Sequence, residues 1–141
     1  MIINFFFPES KVPALKERTR LKAFIHKQFQ KEGFKLGSLT YVFCSDEYLL
    51  NLNQQHLQHD YYTDILTFDL SSIKKVVDGE VYISIDRVRD NAENHDKAFS
   101  NELHRVIFHG ALHLCGYKDK TKAQEKEMRE KEDQYLALYF K

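Results

Sequence analysis

The chain has 141 residues, 43% hydrophobic and 30% charged, the size and balance of one domain with a single core. No apolar run approaches the ~20 residues of a membrane span, and Cys44 and Cys115 lack C-x-x-C spacing, which argues against a membrane protein and a disulfide framework. With 21 basic against 21 acidic side chains there is no overall positive charge to wrap nucleic acid, so any such contact must be local.

The run Ile2, Ile3, Asn4, Phe5, Phe6, Phe7 has no basic leader and no small-residue cleavage pattern. It reads as a first strand closed by Pro8 rather than a signal peptide, and a cytoplasmic location is expected. Over residues 12–32, Leu15, Leu21, Phe24, Ile25 and Phe29 recur at helical spacing, with Pro13 suited to the first turn and Gly33 to the exit. Residues 38–43 put Leu39, Tyr41 and Phe43 on one face of a second strand, and Ser45 is placed to cap a helix through Leu49, Leu50, Leu52 and Leu57. Residues 65–70 give a third strand. After a polar loop and Gly79, residues 80–85 alternate Val81, Ile83 and Ile85 against Glu80, Tyr82 and Ser84.

The short link between these last two strands makes them antiparallel, and helical crossovers make the earlier pairs parallel. The expected architecture is α+β, one domain over residues 1–141. Its mixed four-stranded sheet has the first three strands parallel, the fourth antiparallel, and helices packed on it. Asp86 is suited to cap a helix through Asn94, and Ser100 or Asn101 to cap another with Leu103, Ile107 and Leu114 in its core stripe. Gly110 falls in that stripe, where the missing side chain lets another element come close. From Thr121 a charged surface helix packs back through Tyr135, Leu136, Leu138, Tyr139 and Phe140.

The chemistry concentrates in residues 109–119. His109 and His113, four apart on a helix, lie on one face about a turn apart and can reach a single ion. Gly116 can take the left-handed conformation that ends the helix, and the reversal carries Asp119 back to the histidine face. Tetrahedral Zn2+ held by three nitrogen and oxygen ligands keeps a fourth position for water, which marks a catalytic site for one ion. Cys115 lies about 200° round the helix from His113 and is not counted as a ligand. Gly110 also carries a message, since H-E-x-x-H proteases need a glutamate base at that position; peptidase chemistry is disfavoured. Arg105 shares the histidine face, as a contact for a substrate anion or as a surface ion pair. Arg105, Lys118, Lys120 and Lys122 form a local basic cluster, either an RNA contact or a solvated face. Asp64, before the third strand, is a turn residue or a support for the site or its substrate.

The segment His109-Gly110-Ala111-Leu112-His113-Leu114-Cys115-Gly116-Tyr117 resembles the signature of the YbeY family of metal-dependent endoribonucleases. Leu52-Asn53 with Thr63-Asp64-Ile65-Leu66-Thr67-Phe68, and Gly79-Glu80-Val81-Tyr82-Ile83-Ser84, resemble that family in the same order, over roughly residues 50–120. The resemblance implies a zincin-like domain with a zinc ion, acting on single-stranded RNA in rRNA maturation and ribosome quality control with the small ribosomal subunit. Two positions depart from the pattern. The family usually ends its motif G-Y-D-H, whereas Gly116-Tyr117-Lys118-Asp119 puts Asp119 at the third histidine's spacing. In the other alignment Lys118 is an insertion, Asp119 is the family's aspartate, and His56 or His59 is the substitute ligand. The family's usual arginine is replaced by Leu57.

The expected mechanism is attack of metal-activated water on a phosphodiester, with Arg105 or His56 supplying charge or a proton, and Arg105, Lys118 and Asp64 contacting substrate. The other readings are a metallohydrolase of peptides or small phosphoesters and a non-catalytic ribosome-assembly factor with a structural zinc.

Overall fold

The computed structural model describes residues 2–9, 15–57 and 63–141, with backbone alone for residues 56 and 57. The order is β1 (Ile3–Phe6), α1 (Arg18–Lys31), β2 (Lys35–Cys44), α2 (Asp46–Leu57), β3 (Ile65–Asp69), β4 (Val76–Ser84), α3 (Ile85–Asn94), α4 (Phe99–Leu114) and α5 (Lys122–Tyr139). None of the described helices is long and apolar enough to cross a membrane.

The mixed α+β architecture is as expected, but a different strand runs antiparallel. The sheet order is β1-β2-β4-β3, with β1, β2 and β4 mutually parallel and β3 antiparallel at the edge. A hairpin fixes only that its two strands oppose each other; burial decides which takes the inner place. Val77, Val81 and Ile83 of β4 are buried, whereas every residue of β3 is partly or fully exposed. β4 also starts earlier than expected, at Val76, so Asp78 and Gly79 belong to the strand.

Helix starts differ for similar reasons. α1 begins at Arg18, because Glu17 adopts φ 52° and leaves Leu15 buried but outside the helix. Pro13 lies outside the described residues. The hydroxyl of Ser84, not Asp86, caps α3 by accepting from Arg87 N at 3.2 Å, and Asp86 Oδ2 accepts from Asp46 N at the start of α2. α4 starts at Phe99 without a side-chain cap, since Phe99 is drawn against the core and under the Arg89 guanidinium. Ser45 does cap α2, its Oγ accepting from Tyr48 N at 3.2 Å.

α4 is the centre of the packing. Leu103, Ile107, Ala111 and Leu114 turn inward to Leu39, Tyr41, Val81 and Ile83 of the sheet. Two buried side chains donate to its backbone: Tyr41 Oη to Ile107 O at 2.9 Å and Gln28 Nε2 to Phe108 O at 3.2 Å. The helix sits close because small faces large twice. A Cβ at Gly110 would stand 2.8 Å from Val81 Cγ1 and 3.1 Å from Ile65 Cδ1, and one at Gly79 would stand 2.9 Å from Leu114 Cδ1.

Gly110→Ala should therefore lower stability by about 1–3 kcal/mol despite alanine's better helix propensity, because Val81 is branched and cannot yield. Denaturant unfolding measures this; an unchanged or raised midpoint would show that α4 has slack here.

Candidate metal centre

His109 and His113 leave α4 on one face, their ring centroids 4.6 Å apart. The helix closes with paired bonds, Gly116 N to His113 O at 3.0 Å and Tyr117 N to Leu112 O at 3.1 Å. This is the Schellman arrangement, and it needs the left-handed φ of 98° at Gly116. The chain reverses and returns Asp119 over the histidines. Asp119 Oδ2 lies 3.3 Å from Nε2 of His109 and 3.3 Å from Nε2 of His113, and the three donor atoms lie within 4.8 Å of one another.

The far edge of each ring explains why Nε2 faces inward. His113 Nδ1 is 2.9 Å from the carbonyl oxygen of Tyr117; a carbonyl only accepts, so Nδ1 carries the proton and Nε2 presents its lone pair. His109 Nδ1 is 2.5 Å from Oε2 of Glu132 on α5. Arg105 holds the other oxygen of Glu132 at 2.8 Å and reaches Asp133 at 2.6 Å. Burial would lower the His109 pKa, but Glu132 outweighs it and raises the value above the ordinary range. Burial would raise Glu132, yet bonds from His109 and Arg105 hold it below the ordinary range. A cation at His109 Nε2 therefore competes with a proton.

Tyr117 is held from its other end. Glu32 accepts from Tyr117 Oη at 2.7 Å, from Tyr135 Oη at 2.5 Å and from Lys131 Nζ at 3.2 Å. Burial alone would raise the Glu32 pKa; these bonds bring it below its ordinary 4.5.

The donor set fits a divalent ion. With metal–ligand distances of about 2.0–2.1 Å, a tetrahedral zinc site has ligand–ligand edges of about 3.3–3.4 Å; the two nitrogen–oxygen edges here measure 3.3 Å, and the nitrogen–nitrogen edge lies within 4.8 Å. A cavity of about 430 Å³ opens over the donors, walled by Asp64, Glu102, Arg105 and Glu132 among others. Burial pushes the Asp64 and Glu102 carboxyls above their ordinary range. Ser84 N donates to Asp64 O at 2.9 Å and pins that residue at the rim.

The residues read from the motif thus meet, and Asp64 joins them in the cavity wall. Arg105 is there too, but committed to two carboxylates. Lys118 is elsewhere, in a separate cavity of about 550 Å³ shared with Glu32, Phe34 and Lys75. The side chains of His56 and Leu57, and all of His59, lie outside the described residues. Glu132 escapes the motif because it comes from a different helix. Its signal is a carboxylate in step with Met128, Tyr135, Leu136 and Tyr139 on the buried stripe of α5.

Fold and donors together define a small α+β domain with a metal-capable centre where its central helix ends. The family profile described as Endoribonuclease YbeY matches residues 8–139. The chain is 48% identical over 134 residues to the Endoribonuclease YbeY of Cytophaga hutchinsonii, covering 95% of this chain and 94% of that protein. It is 43% identical over 138 residues to the Endoribonuclease YbeY of Parabacteroides distasonis, covering 98% and 96%. A solution structure from Thermotoga maritima, 28% identical, aligns with a TM-score of 0.66 over 98% of this chain and 89% of that one. The chain belongs to the YbeY endoribonuclease family.

Two outcomes follow from this geometry. Glu132→Gln keeps the shape but removes the charge behind His109, and divalent-ion affinity should fall roughly 10–100-fold in chelator competition; unchanged affinity would show that His109 needs no carboxylate. Because Glu32 has a folded pKa below its unfolded value, its contribution to stability is present above pH 4.5 and lost as pH falls through the folded value. Glu32→Gln should thus unfold at lower denaturant near neutrality and lose less stability than the parent below pH 4.5. Parallel acid limbs in the two proteins would contradict the assignment.

Proposed function

We propose that this chain is a zinc-dependent single-strand endoribonuclease of rRNA maturation and ribosome quality control. In this reading it is a single cytoplasmic domain over residues 1–141 that works with the small ribosomal subunit. The observation that carries the reading is the pair of imidazoles whose Nδ1 atoms are both occupied, so that both Nε2 atoms converge on one carboxylate oxygen. Two nitrogens and one oxygen suit zinc and leave one position for solvent. A bound ion supplies Lewis acidity there, lowering the pKa of water and polarising a phosphoryl oxygen.

The chain's own residues do the rest. His109, His113 and Asp119 would hold the ion, and the negative charge of Asp119 would temper its acidity relative to a third histidine. Glu132 and the Tyr117 carbonyl keep the rings in register. Arg105, clamped between Glu132 and Asp133, is assigned to holding Glu132 rather than to gripping substrate. Asp64, in the cavity wall beside the donors, is assigned to contacting the substrate. Gly110, in place of a glutamate base and with no room for any side chain, weighs against peptide hydrolysis.

Zinc-loaded protein should cleave single-stranded RNA, lose that activity to chelator and regain it on zinc addition. His113→Ala and Asp119→Ala should each lose the ion and the activity while keeping the parent's secondary structure. Turnover confined to peptides or small phosphoesters would overturn the substrate assignment; full activity in Asp119→Ala would overturn the ligand set.

A further inference from the structure

We propose that Lys122, Lys126 and Arg129 on the outer face of α5 form a phosphate-binding track that guides single-stranded RNA past the His109–His113–Asp119 centre. The proposal rests on the endoribonuclease reading and supplies the substrate surface that reading leaves open.

The cavity over the donors is acidic. Asp64, Glu102, Asp119 and Glu132 line it, and the cation buried among them, Arg105, is already paired. A phosphodiester drawn to such a place needs positive charge nearby. Lys118 does not provide it, since it lines a different cavity. A second cavity of about 550 Å³ does adjoin the centre. It shares His109, Asp119, Arg129 and Glu132 with the first and opens along α5 over Lys122, Lys126 and Met128.

The spacing i, i+4, i+7 places the three cations in one strip that advances about 10 Å along the helix. All three are exposed. Among the described residues neither lysine has an ion-pair partner, and Arg129, 63% exposed, reaches Glu132 only at 3.7 Å. Glu125 is the one carboxylate this cavity adds to Asp119 and Glu132, so three cations face three carboxylates in its lining, and the positive charge left for a phosphate is that of Lys122 and Lys126. The positive end of the α5 dipole lies at the Lys122 end and acts in the same direction. No aromatic residue is among the residues that line this cavity, so the contact is electrostatic and follows the backbone rather than reading bases.

The test compares two triple variants of the zinc-loaded protein, binding a phosphorothioate single-stranded RNA that resists cleavage. Lys122→Gln/Lys126→Gln/Arg129→Gln should flatten the plot of log Kd against log salt by about two units, since each single-strand phosphate contact contributes about 0.7. On cleavable RNA it should raise KM with little change in kcat. Lys27→Gln/Lys31→Gln/Lys35→Gln removes the same charge from exposed positions that line neither cavity, and should leave the slope unchanged. An unchanged slope in the first variant, or an equal loss in the second, overturns the track. A parent that cleaves RNA while the first variant binds normally sinks the track alone. A parent whose steep RNA binding is lost in the first variant, yet which cleaves no RNA, supports the track and sinks the endoribonuclease reading.

Discussion

The height at which α4 rests on the sheet governs the rest of the molecule. Gly110 faces Val81 and Leu114 faces Gly79, so at two successive turns a missing side chain on one surface accepts a large one from the other. Close packing of this kind leaves an element no continuous range of positions. The two histidines stand immediately beside these contacts, at 109 and 113, so the forces that seal the core also set where their nitrogens lie. Tyr41 and Gln28 add to this from below by donating to the carbonyls of Ile107 and Phe108.

From that fixed helix the centre is assembled by two different means. One is local: the turn at Gly116 brings back both the carbonyl that orients His113 and the carboxylate of Asp119. The other is long-range: α5 lies across α4 and delivers Glu132 to His109. Carboxylates outnumber cations at the result, which suits a receptor for a metal ion and repels a polyanion. Lys122 and Lys126, exposed along α5 beside that cavity, are nearby cations with no ion-pair partner among the described residues.

What could be seen in the sequence tracks this division. The ligand candidates were legible because helix periodicity and one glycine turn define their positions within a single short stretch. For Arg105 the ion-pair reading agrees with the structure, but its partners could not be named, because Glu132 and Asp133 come from another helix and only tertiary packing unites them. Lys118, adjacent in sequence to the turn, faces away from the centre, since each step through a reversal changes the direction of the side chain. The strands were recognisable from alternation, but the sheet order was not. Hairpin length is blind to which partner goes inside, and the apolar Val77 hidden in the supposed loop was the deciding residue. Cap residues were misplaced where a tertiary contact claimed them first, as with Asp86, which serves α2 instead of α3.

The two histidines also differ in what their orientation asks of the genetic code. His113 leans on a main-chain oxygen, which every residue at 117 supplies as long as Gly116 keeps the turn. His109 leans on one side chain, and only an acceptor of that reach at 132 can stand behind it. The orientation of His113 is thus supported redundantly and that of His109 by one side chain, so drift in the α5 sequence bears on His109 while the turn buffers His113.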